Sequence, residues 1–229
     1  MTATRCVCSS SGGKDSLLAF WYARQAGLQI ATQLTMFDEN GLRSRSHGIP
    51  RKLVERQAEA LGVGLMAPST DWKNYERVFV ESLTALRSTG HEMAVFGDIA
   101  LQAHFDWETD VCARADMKAH LPLWQRDTGE LARESIALGF KAIVVCVDSR
   151  HLSDDFCGRP FDAAFLADLP SSVDPCGENG EFHTFVHDGP LFGRPVGVRV
   201  RATAEYVAPA EFGRQRYCLA DLAATAHIS

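Results

Sequence analysis

The stretch Ser9-Ser10-Ser11-Gly12-Gly13-Lys14-Asp15-Ser16 joins a short apolar segment, Cys6-Val7-Cys8, to an apolar helical run from Leu17 to Ala26. A strand that passes through two adjacent glycines into a helix puts unpaired helix N–H groups and a positive dipole end at the mouth of the turn, which suits an anion. Gly12 and Gly13 have no Cβ, so their amides can approach that anion closely. Lys14 adds a mobile charge, and Ser11 and Ser16 add hydroxyl donors. The bland alternative is a Gly-Ser turn with no ligand. The Walker pattern does not fit, because it needs Gly at position 8 and Ser or Thr at position 15, where Cys8 and Asp15 stand.

Strand and helix signals then alternate along the chain. The first helix ends near Gly27, and Gln29 to Phe37 reads as a second strand. Asp38 to Gly41 is turn chemistry, and Arg43 to Gly48 reads as a mobile loop. Pro50 opens a helix through Leu61, Gly62 to Met66 begins a third strand, and Tyr75 to Arg87 is a helix closed by Gly90. Met93 to Phe96 is a fourth strand stopped by Gly97-Asp98, with a helix resuming near Ile99 and continuing past Cys112. Thr128 reads as the N-cap of a helix reaching Leu138, and Lys141 to Val147 as a strand buried on both faces. This order predicts an α/β fold, Rossmann-like and doubly wound, with a mainly parallel sheet. Past Arg150 the pattern changes to a short helix over Phe161 to Leu169 and strands at Pro195 to Arg201 and Arg216 to Leu219. A division into residues 1–150 and a smaller α+β part, 151–229, is expected. In open α/β sheets ligands bind beyond the carboxyl ends of the strands, which puts the glycine loop and Gly97-Asp98 on one rim.

Composition excludes few classes. Of 229 residues, 46% are hydrophobic and 23% charged, enough for an ordinary core. The net charge of −6 supplies no global basic field, so nucleic acid is not the expected partner. No apolar run approaches the ~18 residues of a membrane span, and the first residues lack an apolar signal core, so no membrane association and a cytoplasmic location are expected. The seven cysteines form neither a CxxC pair nor a zinc spacing; most are expected as free buried thiols, the alternative being a redox or thiocarbonyl-transfer role for one. Arg43, Arg45, His47, Arg51 and Lys52 form a local basic cluster, read either as a solvated loop or as a surface for an acidic substrate or RNA phosphate.

A second dense stretch is Cys176-Gly177-Glu178-Asn179-Gly180-Glu181-Phe182-His183-Thr184-Phe185. Two glycines frame Glu178 and Asn179, and two carboxylates, an imidazole and a hydroxyl fall within seven residues. Such a turn can aim several polar groups at one small volume; the alternative is a Gly-Asn turn with solvated charges.

Taken with the first loop, S-G-G-K-D-S and G-E-N-G-E-F-H-T resemble the diphthine–ammonia ligase family of PP-loop ATPases, in the adenine nucleotide alpha-hydrolase superfamily. Gly97-Asp98-Ile99, Asp110-Val111-Cys112, Leu121-Pro122-Leu123-Trp124 and Val145-Cys146-Val147-Asp148 support the resemblance, which covers roughly residues 5 to 193. Where the family often has Trp-Gly-Arg this chain has Trp124-Gln125-Arg126, and the extra C-terminal domains of the longer eukaryotic members are not matched.

The resemblance implies an ATP-dependent amidating ligase. ATP adenylylates a carboxylate, that of diphthine on translation elongation factor two in the family, and ammonia displaces AMP. It makes residues 1–150 the ATP-binding part and 151–229 the substrate side. Ser11, Gly12, Gly13, Lys14, Asp15, Ser16, Gly97 and Asp98 would bind ATP, with Asp15 on a magnesium ion. Gly177, Glu178, Asn179, Gly180, Glu181 and Thr184 would face the acceptor, and Lys14, Asp15, Glu178, Glu181 and His183 would act in catalysis. The implied partners are a carboxylate-bearing acceptor, on a protein or a small molecule, and free ammonium; a homo-oligomer is compatible with the sequence. Two other readings stay open, a nucleotide-binding sensor without turnover and an RNA-modifying PP-loop ATPase.

Overall fold

The computed structural model describes residues 3–208 and 214–225. Five parallel strands, β1 (Arg5–Ser9), β2 (Gln29–Leu34), β3 (Gly64–Met66), β4 (Met93–Val95) and β5 (Lys118–His120), form one sheet in the order β3-β2-β1-β4-β5. Helices α1 (Lys14–Gln25), α2 (Arg51–Leu61), α3 (Tyr75–Ser88) and α4 (Gln102–Arg114) connect them. The expected α/β architecture is therefore present. The strand order reverses between β1 and β4, and the crevice beyond that switch point is the expected ligand position in such a sheet.

Period-two alternation separates the two faces of β1. Cys6 and Cys8 join the apolar cluster that contains α1 and α2, whereas Val7 joins the one built from α3 and α4. All seven cysteines are free and buried, as their lack of metal spacing suggests, and burial pushes the Cys8 thiol up to about 12.

The second sheet is antiparallel, in the order β7-β6-β9-β8, from β6 (Lys141–Asp148), β7 (Phe182–Asp188), β8 (Val198–Val207) and β9 (Arg216–Ala224). Helix α5 (Thr128–Ala137) leads into it, and α6 (Ala163–Asp168) lies between β6 and β7. Here the sequence reading needs correction. The apolar strand at 141–147 does not extend the parallel sheet; it pairs antiparallel with β7 and β9, so the second sheet starts before residue 150. Burial on both faces is a property of any central strand sandwiched by packed layers and does not report direction. The fifth parallel strand is Lys118-Ala119-His120, an edge strand of three residues without a β-branched side chain, which leaves no strand pattern to read.

Smaller differences have local causes. Helix α1 starts at Lys14, because Gly13 rather than a later residue adopts the extended N-cap conformation. Asp127, not Thr128, caps α5: its Oδ1 accepts the Glu130 N–H at 2.7 Å, while Thr128 Oγ1 donates to Asp174 at 2.6 Å. The loop read as mobile is packed down, with Ser44 buried and Arg45 Nε donating to the Thr70 carbonyl at 3.1 Å.

Helix α1 lies between the two sheets, and its apolar residues Leu17 and Phe20 share a core with Val144, Phe182 and Phe185 of the second sheet. Gln57 of α2, fully buried, ties the layers together through polar bonds. Its Nε2 donates to the carbonyls of Gly12 (3.1 Å) and Val186 (2.7 Å), and its Oε1 accepts from Gln33 (3.2 Å). Replacing Gln57 with Leu strands these buried partners, and the expected cost is about 2–4 kcal/mol in urea denaturation. A loss below about 0.5 kcal/mol would show that the linkage carries no stability.

Candidate active site

The loop after β1 and the strand β7 meet directly. Gly12 takes φ +88°, a left-handed conformation that glycine adopts freely. At Gly13 a Cβ would lie 2.7 Å from His47 Cε1 and 3.2 Å from the Thr184 carbonyl, so only glycine admits these neighbours. The Gly12 N–H donates to Ser10 Oγ at 3.0 Å and the Lys14 N–H to Thr184 Oγ1 at 3.0 Å. The N–H groups of Ser11, Gly13 and Asp15 find no acceptor among the described residues and remain for an anion. Ser16 turns its hydroxyl inward, donating to the Gly13 carbonyl at 2.9 Å beside Ser10 Oγ at 2.8 Å.

Lys14 is not the exposed cation that a loop position suggests. Only 3% of it is accessible, and its Nζ sits 2.8 Å from Asp15 Oδ2, donates to the Cys176 carbonyl, and lies 5.4 and 5.2 Å from the Phe161 and Phe182 ring centres. Burial alone would lower its pKa, but Asp15, Cys176 and Asp174 outweigh that and hold it above the ordinary lysine value. Burial raises the Asp15 carboxyl, against the opposing pull of Lys14. The loop lysine thus clamps the second motif to the first.

Within that second motif the two glutamates do different things. Glu178 Oε1 accepts the N–H groups of Ile99 (3.1 Å) and Ala100 (2.8 Å), so it ties the turn to the end of β4. Burial and the charges of Asp15 and Asp98 raise its carboxyl pKa, despite those two amides. Glu181 is 2% exposed, and its oxygens accept from the backbone of Asp174 and Asn179 and from the Asn179 side chain, at 3.0–3.1 Å. Burial would raise its pKa, but these bonds prevail and hold the carboxylate below the ordinary value. Glu181 is therefore a brace inside the turn.

One cavity of about 950 Å³ spans the crevice. It is lined by Ser11, Gly13, Lys14, Asp15, Ser16, Gly97, Asp98, Gly177, Glu178, Asn179, Gly180, His183 and Thr184. Of the site residues expected from sequence, only Gly12 and Glu181 lie outside its lining. Gly97 belongs there by close approach: a Cβ would fall 2.6 Å from the backbone of Asp15 and Ser16.

Several lining residues were not singled out as site residues from sequence, although His47 and Arg45 belong to the basic cluster noted above. Trp72, Tyr75 and Trp107 form an aromatic wall, and His47 stacks on His183 with ring centres 4.5 Å apart. Glu108, 4% exposed, has an Oε2 with no donor; burial and the adjacent Asp98 carboxyl push its pKa up to about 11, so it carries a proton at neutral pH. Its sequence signal was a carboxylate three and four residues before Val111 and Cys112, on the buried face of α4. For His47 the sequence signal was its place in the basic cluster, and a loop position gave no facing direction.

Asp98 Oδ1 accepts from His104 Nδ1 at 2.6 Å. Burial opposes ionisation of Asp98, but hydrogen bonds with His104 and Glu108 hold it below the usual carboxylate value, and the bond to Asp98 raises His104. Because folding raises the His104 pKa, stability from this pair is fully present below the unfolded value of about 6.5 and fades as pH rises through the higher folded value. NMR titration should find His104 titrating above an ordinary histidine in the native chain and near the ordinary value in Asp98→Asn. An unchanged His104 titration in that variant would contradict the pairing.

Both parts of the chain are similar to known proteins. The family model described as Diphthamide synthase N-terminal domain matches residues 4–119, and that described as Diphthamide synthase C-terminal domain matches residues 127–210. The diphthine–ammonia ligase of Mus musculus is 28% identical, over 89% of this chain and 88% of that protein. Those of Homo sapiens and Schizosaccharomyces pombe are 34% and 24% identical, over 63% and 86% of this chain, which spans only 45% and 36% of their lengths. A solved structure titled as a predicted subunit of tRNA methyltransferase from Methanocaldococcus jannaschii aligns over 82% of this chain and 98% of that one, at 17% identity and a TM-score of 0.46. With both parts of the chain matched, and the two motif-bearing loops joined at one cavity, the chain belongs to the diphthamide synthase family.

Proposed function

We propose that the chain is an ATP-dependent amidating ligase that adenylylates a carboxylate, releases pyrophosphate, and lets ammonia displace AMP to leave an amide. The observation that carries this reading is the direct bond from the Lys14 N–H to the Thr184 hydroxyl, which makes the phosphate loop and the second motif two walls of one site. The relatives' name, diphthine–ammonia ligase, supplies the chemistry, with diphthine as the acceptor of those proteins. For this chain the partners are a carboxylate-bearing acceptor and ammonium.

In this scheme the amides of Ser11, Gly13 and Asp15 and the N-terminus of α1 hold the phosphates. Lys14 acts from below the loop, fixing Asp15 and the Cys176 carbonyl rather than reaching freely for the nucleotide. Gly97 and Asp98 border the nucleotide, and Glu178 faces the acceptor and the incoming nitrogen. Glu181 keeps its place as a positioning residue, since its oxygens are already taken up by the turn.

The residues also fit magnesium of a particular kind. Among the described residues no group of three His, Cys, Asp or Glu could hold a metal ion. Asp15 alone suits an ion carried chiefly by phosphate oxygens and water, as magnesium commonly is. When bound, magnesium would supply charge against the departing pyrophosphate.

Product analysis tests the reading. With ATP, ammonium and a carboxylate acceptor, AMP and pyrophosphate should form in equal amounts, and oxygen-18 in the acceptor carboxylate should appear in AMP. Release of ADP, or label in pyrophosphate, would overturn it. Glu178→Gln should lower acceptor-dependent AMP release by about 100-fold with ATP affinity kept within a few-fold. Lys14→Met should lose both turnover and about 3 kcal/mol of stability, because it breaks a buried ion pair; full activity in that variant would remove Lys14 from the mechanism.

A further inference from the structure

The phosphate end of the cavity is short of free positive charge. The Lys14 ammonium is occupied by Asp15 and the Cys176 carbonyl between two aromatic rings. Arg45, the other strong cation in the lining, donates to the Thr70 carbonyl and to Glu39 and lies 4.7 Å from the Trp72 ring centre. His104, also in the lining, is taken up by Asp98, which leaves two imidazoles. His47 comes from the loop between β2 and α2 and lies directly over Gly13, while His183, at the second position of β7, stacks against it at 4.5 Å with planes 26° apart.

The hydrogen bonding of His47 determines what it can offer. Its Nδ1 is 2.9 Å from the Thr184 carbonyl oxygen, and a carbonyl only accepts, so Nδ1 carries the hydrogen. In the neutral ring Nε2 is then a lone pair, which repels a phosphate oxygen. Once protonated, the same nitrogen becomes a charged donor on a ring that lines the cavity with its Cε1 over Gly13. The His183 imidazole makes no hydrogen bond to any described residue, so it is free to share that task.

We propose that His47, backed by His183, is a phosphate-binding residue of the loop that takes up a proton as the anion enters, so that capture of the triphosphate and hold on the pyrophosphate are proton-coupled. This rests on the reading above that the loop holds a nucleotide triphosphate. The one bond that forms is the N–H at Nε2: its proton comes from solvent on binding and returns to solvent on release.

The surrounding charges have the right sign. Burial, the neighbouring His183 and Lys14 of α1 hold His47 well below the ordinary imidazole range, against the pull of the Thr184 carbonyl. Burial and Lys14 lower His183 to about 4, with Glu181 of its own motif opposing. Both rings are therefore neutral at pH 7 in this structure, and a polyanion beside them raises their pKa values. Anion affinity must then strengthen as pH falls from about 8, by up to roughly tenfold per pH unit for one proton.

Calorimetry with inorganic pyrophosphate on the full chain, in two buffers of unlike ionisation enthalpy, counts the protons taken up. Wild-type protein should take up close to one more proton per pyrophosphate at pH 7 than His47→Gln, a difference in which the titration of pyrophosphate itself cancels. His47→Gln should bind pyrophosphate roughly a hundredfold more weakly at pH 6 and less than about twofold more weakly at pH 8.5. Nitrogen-15 NMR of the wild-type chain gives a reading that needs no variant: His47 Nε2 should change from bare to protonated when pyrophosphate is added at pH 7. Equal proton uptake in the two proteins, equal losses at both pH values, or an Nε2 that stays bare would overturn the proposal. Failure to form AMP would sink the ligase reading without altering these proton counts, so the two claims fail separately.

Discussion

Everything at the candidate site depends on the bond between the Lys14 N–H and the Thr184 hydroxyl, reinforced by the Lys14 ammonium on the Cys176 carbonyl. These contacts join the start of α1, directly after the parallel sheet's first strand, to β7 of the antiparallel sheet and the turn that precedes it. The phosphate loop of a parallel α/β sheet ordinarily opens to solvent beyond the strands' carboxyl ends. Here β7 closes one side of it, and Gln57 secures the closure by holding the Gly12 and Val186 carbonyls on one amide. The loop's shape is thus a property of the docking of two sheets around α1.

That docking also divides the cavity electrically. At the loop end, backbone amides and two neutral imidazoles face inward, a surface that gains from an anion. Toward α4, Asp15, Asp98, Glu108 and Glu178 crowd together and perturb one another, with Glu108 pushed up to about 11 and Glu178 raised. Carboxyls that cannot all ionise at ease are relieved by a cation. Such polarity suits a reaction in which a carboxylate meets the α-phosphate of ATP on one side and a nitrogen delivered as ammonium on the other, the arrangement that the ligase reading calls for.

Much of this was legible in the sequence where local chemistry decides structure. Helix α3 was readable to within one residue at its end because Val78, Phe79, Leu83 and Leu86 share a face and Gly90 follows. The two glycine-rich stretches were readable as site loops because each concentrates polar groups around residues that free the backbone. What stayed hidden was set at long range. Lys141 to Val147 carries the composition of a buried strand but no mark of its direction, and Lys118 to His120 is a strand only because β4 offers it an edge. Glu178 and Glu181 look alike in sequence, yet one borders the cavity and the other is consumed by its own turn. A position in a loop announces a residue type and not the direction in which it points, which is why His47 was read as part of a basic cluster.

The account's central claim is that two motifs some 170 residues apart form a single nucleotide site, and a structure with bound nucleotide tests it most directly. Crystals grown with magnesium and a nonhydrolysable α,β-methylene analogue of ATP should show the triphosphate on the amides of Ser11, Gly13 and Asp15, with His183 and Thr184 bordering it. A nucleotide bound elsewhere, or one held by the loop with β7 displaced from it, would contradict the claim.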